Sequence, residues 1–255
     1  MSQSQRKSDL ADEHTRRAVA ARLGSAPQHS YLGDLVLGAV DGTVTTFAVV
    51  AGSAGAGLSG RIVVILGLAN ILADGFSMAV SNFLKSKADR DIVERARAIE
   101  EAHIDIIPEG EREEVRQIFA SKGFDGATLD EVVDVITRDR HQWVNIMLTE
   151  ELGLRLDAPS PTRSGMATFI AFVVAGMVPL LPFVIGPAAV AQDHFPASAL
   201  AAALTFLLVG LLKGRALQQP ALRSGIETLL VGGGAAALAY VAGALLKGVF
   251  GLDGA

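Results

Sequence analysis

Asp34, Asp41, Thr45, Asn70, Asp74 and Met78 place cation-binding side chains inside the two apolar stretches nearest the N-terminus of a 255-residue chain. The carboxylates are the informative members. An ionised carboxylate in hydrocarbon costs several kcal/mol or more, so it is seldom kept there without a partner or a task. In helical form, Asn70, Asp74 and Met78 follow one another at four-residue spacing and share a face. Asp34 and Asp41, seven apart, share another, with Thr45 one turn further. Two such stripes on neighbouring helices predict a wet, ion-lined groove. Thr46, Ser77 and Asn82 are polar too, but hydroxyls and amides bond across membrane helices routinely and Met fills gaps. The weight therefore rests on Asp41 and Asp74.

A second set lies in the charged stretch between about residues 85 and 162: Glu100, Glu101, His103, Asp105, Glu109, Glu111, Glu113, Glu114, Met147, Glu150 and Glu151. Glu100 with His103, and Glu111 with Glu114, are spaced i, i+3; Met147 and Glu151 are i, i+4. Each helix can thus offer a pair on one face. Carboxylates with one imidazole and one thioether, and no thiolate, suit Fe2+ or Mn2+ better than a structural zinc site. A solvated acidic surface is the competing reading, and spacing alone does not separate the two.

Spans of about 20 apolar residues are needed to carry the first set across roughly 30 Å of hydrocarbon. Five candidates occur, at about 35–58, 62–84, 165–187, 196–213 and 225–249. Only "LSGR" separates the first two, which predicts a tight helical hairpin. No helix breaker stands between Arg61 and Pro108, so the second span is expected to continue out of the membrane as a stalk. Pro108 then opens a helix ending before Gly123, "TLDE" from Thr128 has capping-box spacing, and a last helix runs from about Asp139 to Glu151 and stops at Gly153. Pro179, Pro182 and Pro187 are expected to kink or end the third span. Residues 8–23 read either as an amphipathic surface helix or as a frayed polar tail.

The expected fold is all-α: five transmembrane helices with a small cytoplasmic helical metal-binding domain inserted between the second and third. Its parts are an N-terminal segment, 1–30; the first two spans, 31–88; the helical domain, 89–158; and the last three spans, 159–255. Lys and Arg cluster in the N-terminal segment, the middle domain and the loop holding Lys213, Arg215 and Arg223, and are scarce in the other loops. This bias predicts a cytoplasmic N-terminus and middle domain, and a C-terminus outside.

Composition narrows the function classes. Half the residues are hydrophobic, only 5% are aromatic and 27 are Gly, a profile of helices packed closely through small residues in lipid. Gly52, Ala56 and Gly60 are available for close contact, including contact with a second copy. The absence of Cys excludes thiolate sites and thiol catalysis. A net charge of -5 without a basic block argues against nucleic acid as a partner. Residues 1–30 lack the apolar run of a signal peptide, so no cleaved leader is expected.

"DGTVTTFAVVAGSAGAG" and "ILGLANILADGFSMAVSNFLKSKAD" resemble the signature of the vacuolar iron transporter family. "PEGEREEVRQIFASKGF", "MLTEELGL", "GMVPLLPF" and "ETLLVGGGAAALAYVAGALL" extend the resemblance over roughly residues 30–250. It implies a five-span homodimer, with a translocation path between protomers built from the first two spans. It also implies proton-coupled export of Fe2+, and often Mn2+, from the cytosol, fed by a helical domain that gathers ions, with no permanently bound cofactor.

By this resemblance Asp41 falls on the family's essential carboxylate, Met78 on its second-span methionine, and Asp34 and Asp74 on accessory acidic positions. Glu100, Glu111, Glu114, Met147 and Glu151 fall on metal-binding positions. His103 stands where a Glu is expected, Leu148 where a second Met is expected, and Asn82 where bacterial relatives often carry Glu. Glu101 and Asp105 are the alternatives for completing the first helix's pair.

Fe2+, Mn2+, Co2+ and Zn2+ share ligands, and spacing does not rank them. An inner or plasma membrane is the expected location. Two rivals remain at this point. "EEAH" carries one Glu-x-x-His of the pair that a membrane-anchored di-iron oxidase would need. A non-transporting structural membrane protein would use the acidic domain only as a soluble face.

Overall fold

The computed structural model describes residue 5 and residues 11–24, 30–185 and 191–250. Met1–Ser30 and Tyr31–Ala255 form two compact units. In the first, α1 (Arg16–Gly24) is a short helix whose Arg16, Arg17 and Arg22 are spread around it, so the amphipathic stripe expected of a surface helix is missing there.

The second unit contains eight further helices among its described residues and no strand. Five are long and apolar enough to cross a membrane: α2 (Leu32–Ala56), α3 (Gly60–Ile106), α7 (Pro161–Ile185), α8 (Ala191–Ala216) and α9 (Ala221–Phe250). The chain is an integral membrane protein. Between α3 and α7 lie α4 (Pro108–Ser121), α5 (Gly126–Arg138) and α6 (Arg140–Ile146), which runs on into a π turn over Met147–Glu151.

α2 ends at Gly57, which adopts φ 76°. The Leu58 N–H closes back on Ser53 O at 3.0 Å, and α3 starts two residues later. A left-handed cap of this kind favours Gly because other residues crowd Cβ there. The turn is as short as "LSGR" predicts, but the two legs do not make the main contact. α2 packs chiefly on α7 and α9 and touches α3 much less. The reason is the small residues: a methyl group at Gly38 would run into the Thr168 carbonyl, and one at Gly42 into that of Phe172. Gly52 likewise lies against Gly243 of α9, while Ala56 and Gly60 are buried within the protomer. These three residues are used inside the chain and are not a free surface for a second copy.

α3 has 47 residues, about 70 Å at 1.5 Å per residue, more than twice the hydrocarbon thickness. Its unbroken length matches the absence of breakers between Arg61 and Pro108. α7 continues through Pro179 and Pro182, so neither proline ends it, and the Ser198 hydroxyl of α8 donates to Pro179 O at 2.6 Å. Pro187 lies outside the described residues.

Two apolar cores result. One, between the spans, contains Phe47, Val50, Ile71, Leu180 and Phe206. The other joins the far end of α3 to α4, α5 and α6 through Ile104, Val115, Val133, Trp143, Met147 and Leu148. Each fully buried side chain of this size contributes about 1.5–3 kcal/mol. Arg116 bridges α4 to Asp130 of α5 at 2.6 Å, and Arg112 pairs with Asp134 beside it. Exposed pairs of this kind add about 1 kcal/mol or less, so the apolar contacts decide the packing.

α5 starts at Gly126, with Asp125 at the N-cap and no side-chain cap bond. The capping box expected at Thr128 does not form, because Gly123 and Gly126, both at positive φ, turn the chain early and leave Thr128 inside the first turn. Asp139 does cap α6, accepting from the His141 N–H at 3.0 Å and the Gln142 N–H at 3.3 Å. The π turn that follows had no sequence signal, and Gly153 ends it at φ 63°.

Candidate functional site

Asp41 lies half-buried on α2, and its carboxylate is close enough to Asp74 on α3 for the two charges to interact. One turn on, Thr45 donates its hydroxyl to the Asp41 carbonyl at 2.9 Å and accepts from Asn70 Nδ2 at 3.3 Å. The first-span and second-span stripes therefore meet at Asp41, Thr45, Asn70 and Asp74. Met78 is half-buried on the turn of α3 that follows Asp74, whereas Asp74 and Ser77 are exposed.

Asp34 is turned elsewhere. Its Oδ1 accepts from Asn82 Nδ2 at 2.9 Å, and the same amide reaches Thr168 Oγ1 of α7 at 2.7 Å. The shared face of Asp34 and Asp41 holds along the helix, but Asp34 joins a buried node with the third span.

Asp41 also borders a groove of about 610 Å³ shared with Lys213 of α8 and Glu227 and Thr228 of α9. Sequence spacing missed this side of the site. Lys213 and Glu227 sit at the ends of later spans, where a charge normally reads as an interfacial anchor, and only the three-helix packing brings them near Asp41.

The acidic cluster forms where Pro108 ends the stalk. The chain reverses at Ile107, whose N–H bonds His103 O at 2.8 Å, and the first turns of α4 fold back on α3. Glu111 thereby lands on Glu100 and His103. One ligand atom from each of Glu100, His103 and Glu111 lies within 4.8 Å of the others. Glu111 Oε1 is 3.2 Å from His103 Nδ1. Glu100 is 4% exposed and Glu111 1%, and Oε2 of each is buried without a hydrogen-bond partner.

Unpaired buried carboxylate oxygens are costly, and a cation in that position would satisfy both. Burial, with Glu114 and Glu100 nearby, pushes the Glu111 carboxyl up to about 7 against the pull of His103. Glu151, also raised, feels burial first and then Glu100 and Glu114. Glu100, His103, Glu111, Glu114 and Glu151 thus form one electrostatic group.

The remaining candidates stand apart. Arg140 grips Asp105 at 2.5 and 2.9 Å and donates to the Glu101 carbonyl at 2.9 Å. Glu113 pairs with Arg116 and Glu150 with Lys122. Glu101 and Glu109 are exposed. Met147 is fully buried in the apolar core.

The sequence profile of the VIT family matches residues 32–244. Among curated relatives, a vacuolar iron transporter of Toxoplasma gondii is 35% identical over 231 residues, 88% of this chain and 76% of its own length. Vacuolar iron transporter 1 of Arabidopsis thaliana is 32% identical, covering 92% of this chain and 90% of its own. Vacuolar iron transporter 2 of Oryza sativa subsp. japonica is 32% identical, covering 91% of each.

Proposed function

The chain belongs to the VIT family, and from that premise we propose that it exports Fe2+ from the cytosol in exchange for protons, along a path lined by α2 and α3. Its family and relatives are transporters and not enzymes, which removes the oxidase alternative. The observation that carries the path is the approach of Asp41 and Asp74 within helices that cross the membrane. Two carboxylates there repel one another unless a proton or a metal lies between them. Exchange of one for the other is the minimum an antiporter requires. Thr45 and Asn70 supply further oxygens one turn away, and Met78 adds a soft donor that disfavours Mg2+ and Ca2+.

A homodimer interface along α3 is part of this proposal. Asp74, Ser77, Leu72 and Phe76 are exposed on the membrane portion of α3. A carboxylate facing lipid is expensive, so protein or water must cover that face. A second copy placed there would shield Asp74 from lipid.

The acidic cluster is proposed as the cytoplasmic ion-gathering site. Glu100, His103 and Glu111 would bind the ion, with Glu114 and Glu151 adding charge. The positive-inside bias supports placing it, with the N-terminus, in the cytoplasm. Mn2+, Co2+ and Zn2+ are the competing cargoes. Reconstituted protein is expected to move Fe2+ faster when the receiving side is acidic, and a flux indifferent to the pH gradient overturns proton coupling.

A further inference from the structure

We propose that His103 sets the metal preference of the acidic cluster, favouring Fe2+, Co2+ and Zn2+ over Mn2+. The inference rests on reading the cluster as a metal site and deepens that reading. Two buried carboxylate oxygens, one each on Glu100 and Glu111, have no hydrogen-bond partner, so the cluster offers acceptors that a cation would satisfy. The third donor within reach is an imidazole nitrogen.

Other residues on the same helix are not available to replace it. Asp105 is held at both oxygens by Arg140, and the Glu101 side chain is exposed and lies outside the group formed by Glu100, His103 and Glu111. The α3 contribution is therefore Glu100 and His103, one oxygen donor and one nitrogen donor.

Exposure separates the roles further. The Glu111 side chain is 1% exposed and that of His103 48%, so the carboxylate forms the floor and the imidazole the solvent-side wall. His103 Nδ1 lies 3.2 Å from Glu111 Oε1, so the ring already faces the buried carboxylate.

Chemistry then fixes the direction of the preference. Carboxylate and water ligands suit Mg2+, Ca2+ and Mn2+, whereas imidazole suits Fe, Co and Zn, and affinity at a mixed site rises from Mn2+ through Fe2+ to Co2+. An all-carboxylate version of this cluster would discriminate less. His103 acts as a ligand, and its placement at the mouth makes its replacement tolerable to the fold.

The test is competition binding of Co2+, Zn2+ and Mn2+ to the full-length protein in detergent, comparing wild type, His103→Glu, His103→Ala and Glu111→Gln. Visible absorption of bound Co2+ reports its ligands, and the Co2+ lost in Glu111→Gln defines the cluster's share. His103→Glu is expected to lower the Co2+ to Mn2+ affinity ratio by roughly tenfold or more, the scale on which a metal site responds to one altered group. Its Co2+ spectrum should shift to that of oxygen ligation. An unchanged ratio and spectrum in both His103 variants, with Co2+ still lost in Glu111→Gln, overturns the inference and leaves the site standing. Full Co2+ binding by Glu111→Gln overturns the site itself.

Discussion

Arg140 holds both carboxylate oxygens of Asp105, at 2.5 and 2.9 Å, on the helix that also carries Glu100 and His103. The guanidinium keeps the Asp105 carboxyl below its ordinary range, so it stays ionised and paired. Asp105→Ala is therefore expected to leave metal affinity within about twofold while lowering the melting temperature slightly, as exposed pairs contribute little. Isothermal titration with Mn2+ or Co2+ checks it. A large affinity loss would make Asp105 a ligand.

Glu111 gives the cluster its pH dependence. Burial and the nearby carboxylates of Glu114, Glu100 and Glu151 favour its neutral form and push the folded-state carboxyl up to about 7, above the ordinary 4.5. The cost of the charge is absent below about pH 4.5, grows up to pH 7 and is fully present above. Metal affinity is thus expected to weaken by up to about tenfold per unit as pH falls below 7, one proton competing with the ion. Glu111→Gln should flatten that profile and stabilise the metal-free protein at pH 8 by roughly 1–3 kcal/mol. Thermal melts with and without metal at pH 5.5 and 8 measure both effects.

Gly42 tests the close approach of α2 and α7. A side chain there meets the Phe172 backbone, which cannot swing aside as a side-chain end can. Gly42→Leu is expected to cost about 3 kcal/mol or more, at the upper end of overpacking penalties. Gly248, with open space around its Cβ position, should accept Ala with little change. Detergent melting curves of the two variants compare them directly.

The chain has no cysteine, so single-cysteine variants report proximity without a competing thiol. Ser77→Cys and Ala73→Cys on the exposed face of α3 are expected to form a disulfide-linked dimer in membranes under mild oxidation. Leu204→Cys, 57% exposed on α8, should stay monomeric. Equal cross-linking at all three positions would remove α3 as the interface.

The long elements were legible because their signals are local. Apolar length marked five spans, the absence of breakers marked the 47-residue α3, and Pro108 and Gly123 bounded α4. The partners of those elements were not. Gly38, Gly42 and Gly52 are small for reasons visible only when α7 and α9 lie against them. Helical spacing put Asp34 with Asp41, yet Asn82 draws Asp34 to a node with Thr168 because an amide so deeply buried needs acceptors. Glu100, His103 and Glu111 meet through a chain reversal, which i, i+3 spacing does not encode. Charge pairs were equally hidden: nothing local in "HIDII" says that Asp105 belongs to Arg140, 35 residues on.

Exchange of metal for proton at Asp41 is measured by Fe2+ uptake into liposomes carrying Asp41→Asn, with an imposed pH gradient and with dithionite or ascorbate keeping iron reduced. Proton-driven Fe2+ transport is expected to fall to the level of protein-free liposomes, while metal binding by the Glu100, His103 and Glu111 cluster persists. Full pH-driven transport by Asp41→Asn would contradict that exchange.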